Sequence, residues 1–410
     1  MATNQRQVIV IGAGYTGLLA TIRLAGKVRR QNVQITLINN SDKFVERVRL
    51  HQMAAGRDIG GHSIAAILQG TGANFQQGMV TGIDTNTHMV IVQTGTQVQQ
   101  YRYDYLVYAL GSSTERETVP GVDKYAYTLT PTGPLSALAL REKLPALAAV
   151  GGRVLVCGGG ATGIEAAAEF AKAFPKLHVR LITQDEFGTF LGKGVASYMR
   201  HSLVKLGVAI QDRTTVAEVT ANEIITASGA TIPYDVCLWT GGFTTPTLAR
   251  EVGLTVNERG QILTDPFMHS ISHPEIYAVG DSAQPIEEPG VPVRMSAFTA
   301  VITGAHGADS LSAAIRGKTP RPLSFTYTGQ GIALGHHNAI GFNNYPDDTP
   351  NLPYFTGRVG YEVREFFVRF LAALPFFEKR WPGFFWWIGK GPYAAGKRRA
   401  VQPIPTASTR

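Results

Sequence analysis

Two cysteines in 410 residues, no apolar run of membrane-span length, and no G-X-Y period behind forty-five glycines remove several classes of protein at once. Cys157 and Cys237 lie far apart, each inside an apolar strand-like run. They read as buried, inert thiols rather than a disulfide framework, and a reducing intracellular compartment fits. After "MATNQRQ" the apolar stretch is only "VIVI" before glycines interrupt it, so a secretory leader is not expected here. A membrane-crossing helix needs about 20 apolar residues, and the sequence offers no such stretch. Nucleophile elbow, HExxH motif, Walker loop and zinc-ligand spacing are all missing. The net charge of +8 suits an anionic partner, but without a recognition-helix pattern nucleic acid is not expected. His336 and His337, read as strand neighbours, point to opposite faces and have no carboxylate at ligand spacing, so no metal site is expected.

What is present is a duplication. With 44 % apolar and 17 % charged residues, the chain has material for two or three packed domains. Each half opens with a β-branched run, a glycine turn, a helix and a second apolar strand. "VIVIGAGYTGLLATIRLA" leads to "VQITLINNSD", and "RVLVCGGGATGIEAAAEFA" leads to "HVRLITQDE". Each half closes on a strand and glycine, "YDYLVYALGSS" and "YDVCLWTGGFTTP". In the first turn Gly12 permits the tight bend, Gly14 lets backbone approach a pyrophosphate, and Gly17 lets helix and strand pack closely. Gly158, Gly160 and Gly163 repeat the arrangement. The acidic residue expected about 20 positions on is missing from both copies. Asn39 ends the second strand of the first unit, where it can still accept from a ribose hydroxyl. Thr183 ends that of the second, where a lost carboxylate removes the repulsion against a 2′-phosphate. NADH and NADPH both stay open.

The stretches "IGAGYTG", "YDYLVYALGSST", "CGGGATGIEAAAEF", "TGG" and "IYAVGDSA" follow in the order found in two-dinucleotide-binding-domain flavoproteins. Over roughly residues 6–310 the chain resembles the pyridine nucleotide–disulfide oxidoreductase superfamily. The disulfide branch carries a redox-active cysteine pair beside the flavin; "FVERVRLHQMAAG" stands there without one, which excludes a disulfide reductase. The chain is most similar to the membrane-peripheral type II NADH dehydrogenases, which pass electrons from NADH through FAD to a quinone. "TGIEAAAEF" matches that branch's TGxExAxE, and "LSFTYTGQGIALGHHNAIG" its PFxYxxxGxxAxIG. A quinone-side helix there carries an AQxAxxQ-like pattern. Here "MSAFTAVITGAHGA" supplies Ala297 and offers Phe298 and Ile302 at the glutamine positions, apolar replacements suited to an isoprenoid or aromatic acceptor.

The resemblance implies an α/β fold of two Rossmann-like domains, with an FAD domain interrupted by an inserted NAD(P) domain. The expected boundaries are 1–112 and 266–343 for the FAD part, 113–265 for the NAD(P)H part, and 344–410 for an amphipathic extension. It implies non-covalent FAD held by the first glycine turn, Val80, Ala109, Gly111, Gly280 and Asp281. Arg47 would neutralise pyrophosphate or reduced flavin. The nicotinamide cosubstrate would lie on the second turn with Thr183, Gly241 and Gly242. Glu165, near the start of its helix, either complements the helix dipole or lines the site beside the two rings; Glu169 reads as helix surface or packing. In the tail, Phe366, Phe367, Phe370, Leu371 and Leu374 form one apolar stripe, Arg364 and Arg369 flank it, and Pro375 ends the helix. The stripe covers the protein's own core, a homodimer partner, or an anionic membrane at the cytoplasmic face. The leading reading is an FAD-containing NAD(P)H dehydrogenase reducing a quinone or similar acceptor. A soluble reductase of the ferredoxin-reductase or apoptosis-inducing-factor type and a flavin-based redox sensor stand beside it.

Overall fold

A computed structural model describes residues 5–286, 293–345 and 350–389. The two glycine-turn units each build a five-stranded parallel sheet. The first runs in the order Ile276–Ala278, Tyr105–Tyr108, Arg6–Ile11, Val33–Asn39, Asn74–Gln77. The second runs Ala126–Tyr127, Val236–Trp239, Arg153–Cys157, His178–Ile182, Ala209–Gln211. Strands covered on both faces read as continuous apolar runs, and the two glycine-turn strands do so: Val8 to Ile11 and Val154 to Cys157 are all buried. The strand Ile276–Ala278, just before "GDSA", lies in the first sheet beside Tyr105–Tyr108.

Each parallel sheet carries a three-stranded antiparallel meander, Met79–Asp84/Met89–Thr94/Gln97–Arg102 in one and Val216–Val219/Glu223–Thr226/Thr231–Pro233 in the other. The chain crosses between units where Ser113–Thr114 pairs antiparallel with Phe243–Thr244. The return crossing thus falls ahead of the expected boundary at 265, and Ile262–Thr264 pairs with Ala283–Pro285 instead. A third antiparallel sheet, Gln330–Ala333/Ala339–Asn344/Pro350–Thr356, leads into a 24-residue terminal helix, Gly357–Arg380.

That helix departs from the sequence reading in two ways. It runs through Pro375 instead of ending there. Its inward face carries Gly360, Tyr361, Arg364, Glu365, Val368, Leu374 and Glu378, while Phe366 and Phe367 are 65 % and 57 % exposed. Proline normally disrupts a helix interior by removing one backbone donor. Here Leu374 and Glu378 are fully enclosed on either side of it, and their packing outweighs that loss. Glu378 accepts from the Arg23 guanidinium at 3.0 Å and from the Phe385 amide at 2.9 Å. Arg23 in turn clasps Asp309 and the Phe385 carbonyl. The buried pair ties the first glycine-turn helix (Tyr15–Lys27), the helix Ala297–Ile315 and the segment after residue 380 into one body. Residues 390–410, which hold the last basic residues of the sequence, lie outside the described residues.

Candidate functional site

Both glycine turns solve the same steric problem. Gly12 has φ +94°, and a Cβ there would lie 2.4 Å from the Ala109 carbonyl oxygen; one on Gly17 would lie 1.8 Å from the Gly12 oxygen. Gly158 has φ +128°, and a Cβ there would meet Thr240 Oγ1 at 2.4 Å; one on Gly163 would meet the Gly158 oxygen at 2.0 Å. The middle glycines differ. Around Gly14 and Gly160 nothing lies within 4 Å of an added Cβ, so both face open space. Each is the N-cap of a 13-residue helix with no side-chain cap and no acid in its first turn. Two other long helices are capped by a serine side chain, Ser136 and Ser296. Uncapped N-terminal amides beside an open approach form an anion cradle.

Around the first cradle the structure gathers most of the expected residues. Asn39 accepts from the Ala13 amide at 2.9 Å and donates to the Ser41 carbonyl at 2.8 Å, so its amide group braces the turn itself. Gly78 donates to the Asn39 carbonyl, which sets Val80 just beyond, half-buried against the core. Gly111 donates to Ser282 Oγ at 2.6 Å, and Gly280 lies against Thr16. Ser112 Oγ donates to Asp281 Oδ2 at 2.7 Å, whereas Asp281 Oδ1 is buried and has no hydrogen-bond partner. Burial pushes the Asp281 carboxyl up against the pull of Ser112 and Arg47. A buried carboxylate oxygen left without a donor is costly, and a polyhydroxyl chain with an adjoining phosphate is the group that fits it. Arg47 is exposed and feels Asp281 as its counter-charge.

The second cradle is sparer. Thr183 is buried and its hydroxyl donates to the Asp185 carbonyl, so it is already committed within the protein. Trp239 Nε1 donates to the Gly241 carbonyl at 3.1 Å and to that of Glu115 at 2.9 Å, pinning the "TGG" turn to the inter-unit crossing. Gly242, at φ +72°, packs on Glu115. Cys157 and Cys237 are both buried and free, but their sulfurs approach to 3.9 Å on neighbouring strands.

Glu165 is the fifth residue of its helix (Ala161–Ala173), beyond the first turn, so the dipole reading does not describe it. Its Oε1 accepts from the Ala333 amide at 2.9 Å and from Arg364 Nη2 at 2.9 Å. Arg364 also donates to Glu365 Oε1 at 2.7 Å, and Glu365 pairs through its other oxygen with Arg49 at 2.9 Å. Arg49 reaches Glu46 at 3.0 Å. Glu169 is not surface either: it is buried and bound to Arg57 at 2.7 Å. Three distant segments, 46–57, 161–173 and 357–380, thus meet in one buried ionic cluster. Burying charges is expensive unless each is paired, and every carboxylate here has a guanidinium within 3.0 Å. Although burial opposes it, Arg49 and Arg364 together hold Glu365 below its usual range.

His51 sits inside this cluster, its Nδ1 3.9 Å from Glu165 Oε2 and its buried Nε2 without a partner. Burial pushes it down to about 4; Glu165 opposes this, Arg364 and Arg57 reinforce it, and Glu365 opposes it again. An ordinary histidine titrates near 6.5, so the unfolded chain binds this proton more readily than the folded one. The His51 contribution therefore leaves stability unaffected above that pH and lowers it as pH falls toward 4, by about 2 kcal/mol between pH 7 and 5. Urea unfolding of the holoprotein at both pH values is expected to show this slope, and His51→Asn is expected to flatten it. Parallel curves for the two proteins would assign the slope to other groups.

The acceptor-side residues divide. Ala297 and Phe298 are half-buried at the start of their helix, with Phe298 6.2 Å from the Tyr327 ring. Ile302 is wholly enclosed in the core and presents nothing to a ligand. Counted from Ala297, the second glutamine position falls on Thr303, which donates to the Thr299 carbonyl and receives the Gly280 amide. His336 and His337 do not point apart on a strand. They occupy the turn between Ala333 and Ala339 with ring centroids 3.6 Å apart. Among the described residues no three metal-ligating side chains converge.

A family described as pyridine nucleotide-disulphide oxidoreductase matches residues 6–304. The chain is 25 % identical over 356 residues to demethylphylloquinone reductase NdbB of Synechocystis, covering 83 % of this chain and 87 % of that protein. It is 26 % identical over 373 residues to the type II NADH:quinone oxidoreductase of Staphylococcus haemolyticus, covering 83 % and 90 %. Among solved structures, the sulfide:quinone oxidoreductase of Aquifex aeolicus superposes with a TM-score of 0.77 at 19 % identity, covering 96 % of this chain and 100 % of that one. NDH2 of Plasmodium falciparum, in complex with NADH, superposes at 0.75 and 17 %, covering 93 % and 99 %. The doubled cradle and the match across most of its length agree, and the chain belongs to the pyridine nucleotide-disulphide oxidoreductase family.

Proposed function

We propose that the chain is an FAD-dependent NAD(P)H dehydrogenase that reduces a quinone or similar aromatic acceptor at a lipid surface. The observation that carries this is the first cradle, where an uncapped helix and the unpartnered Asp281 oxygen fit a flavin dinucleotide. The FAD unit comprises 1–112 and the chain from the return crossing at 243–244 to 343, with the NAD(P)H unit between and an amphipathic extension from 344. Bound there without a covalent link, the flavin supplies hydride acceptance from the nicotinamide and two-electron delivery to the acceptor. The chain's own work is placement. Gly12, Gly14, Gly17 and Asn39 shape the pyrophosphate turn, Asp281 holds the hydroxyl chain, and Arg47 balances charge. Gly158, Gly160 and Gly163 bring the nicotinamide dinucleotide in from the second unit. Glu165, kept fixed by Arg364 and the Ala333 amide, lines the space between the two. The quinone reading is supported by the names of the relatives.

The acceptor's route is argued from the terminal helix. No helix among the described residues is long and apolar enough to cross a membrane. Instead an aromatic ridge runs along the surface, with Phe366 stacked on Phe370, Phe370 against Phe377, and Phe377 stacked on Phe384. Trp381 and Trp386 are 54 % and 77 % exposed beside it, and Arg369, Lys379 and Arg380 flank it. Exposed rings bordered by cations suit the headgroup layer of an anionic bilayer, here the inner face of the cell membrane. The competing occupant is a second copy of the chain.

One experiment tests both statements. Yellow holoprotein, reduced anaerobically by NADH, is mixed with anionic vesicles carrying an isoprenoid quinone. We expect co-sedimentation and flavin reoxidation. Phe366→Ser/Phe367→Ser is expected to lose sedimentation and vesicle-borne turnover while still reducing a water-soluble quinone. A colourless but active protein overturns the flavin assignment. Equal sedimentation of both proteins, or of neither, overturns the lipid surface.

A further inference from the structure

In a parallel sheet of this order, a dinucleotide on the second glycine turn places its adenine-side ribose at the carboxyl end of the neighbouring strand, His178–Ile182. A carboxylate at that point would bind the ribose hydroxyls and repel a 2′-phosphate. Thr183 stands there instead, its methyl group against Gly159 and its hydroxyl turned to the Asp185 carbonyl. The next strand outward is Ala209–Gln211. The loop that follows it folds back onto this edge: the Thr214 amide donates to the Thr183 carbonyl at 2.9 Å, and that of Arg213 to the Asp185 carbonyl at 3.3 Å. Arg213 has φ +49°, and its side chain is 75 % exposed.

Charge at this edge is nearly spent. Asp212 is bound to Arg200, and Glu186 holds Arg213 through one contact of 2.8 Å. Asp185 is exposed. An exposed, single-contact ion pair is weak, and a guanidinium exchanges it readily for the two-pronged, doubly charged contact of a phosphate. We infer that the second site accepts NADPH alongside NADH, with Arg213 as the 2′-phosphate contact. The inference rests on the second glycine turn being the nicotinamide site.

The test uses holoprotein and two probes, adenosine 2′,5′-bisphosphate and adenosine 5′-monophosphate, titrated calorimetrically, with anaerobic flavin bleaching by NADPH and NADH as a second readout. We expect both probes to bind wild type. Arg213→Ala should weaken the bisphosphate relative to the monophosphate by about tenfold, and Arg213→Lys should restore part of that loss. Thr183→Glu should lower the same ratio by a further order of magnitude or so, through charge repulsion. The NADPH-to-NADH ratio of kcat/KM is expected to follow the probe ratio in each variant. Wild type that disfavours the bisphosphate by about 100-fold or more, or Arg213→Ala shifting both probes equally, overturns the inference. Failure of both probes and both nucleotides overturns the nicotinamide site itself.

Discussion

Arg364→Met is expected to destabilise the holoprotein by about 3–5 kcal/mol, read as a drop in the urea midpoint at unchanged slope. The substitution keeps an unbranched apolar stem but removes the cation shared by Glu165 and Glu365. Both carboxylates then remain in a buried site, one with only the Ala333 amide and the other with Arg49. The penalty comes from the two anions left behind rather than from the lost contacts, so neutralising them is expected to recover most of it. Arg364→Met combined with Glu165→Gln and Glu365→Gln should be closer to wild type than the single variant. A single variant losing less than about 1 kcal/mol would show that solvent enters the cluster and screens it. Flavin reduction by NADH is expected to slow in the same single variant, because Glu165 loses its anchor.

Gly160→Val is expected to abolish flavin reduction by either nicotinamide while leaving the flavin bound, and Gly14→Val to strip the flavin. The two glycines are the positions where an added Cβ meets nothing within 4 Å. A valine in either is therefore tolerated by the fold and intolerable only to a ligand brought into backbone contact. This separates them from Gly17 and Gly163, where substitution collides with the Gly12 and Gly158 oxygens and would damage the turn itself. Flavin content by absorbance and stopped-flow reduction under nitrogen read the two outcomes. Flavin lost from Gly160→Val would reverse the assignment of the two units.

The glycine turns and the parallel strands were legible in the sequence because each depends on local sterics or on a run of β-branched residues, whereas the place of the strand before Gly280 followed from the family resemblance. The cluster around Glu165 was not. Its members come from three segments far apart in the chain, and no periodicity links a carboxylate at 165 with an arginine at 364. A signal existed in the terminal helix. Gly360, Tyr361, Arg364, Glu365 and Val368 share one face, and a stripe mixing apolar residues with opposite charges marks a helix packed on a polar partner. The phenylalanines drew attention to the opposite face, and the inward one was read as its flank. Pro375 misled for a related reason: a helix-breaking tendency is a local statement, and Arg23, bound to Glu378, overrides it from outside the helix. Ile302 was misplaced by one position: counted from Ala297 the second glutamine position is Thr303, and Ile302 belongs to the core.

The Glu378 carboxylate, closed over by Arg23 and by the amide of Phe385, has a consequence for how the protein can change. The residues that fasten the last turns to the body alternate, position by position, with the rings that face outward. A cut through that segment would open the body along with the contact. Each substitution on this helix is judged twice, once for what it shows to the outside and once for what it holds together within. Drift there is confined to changes that satisfy both.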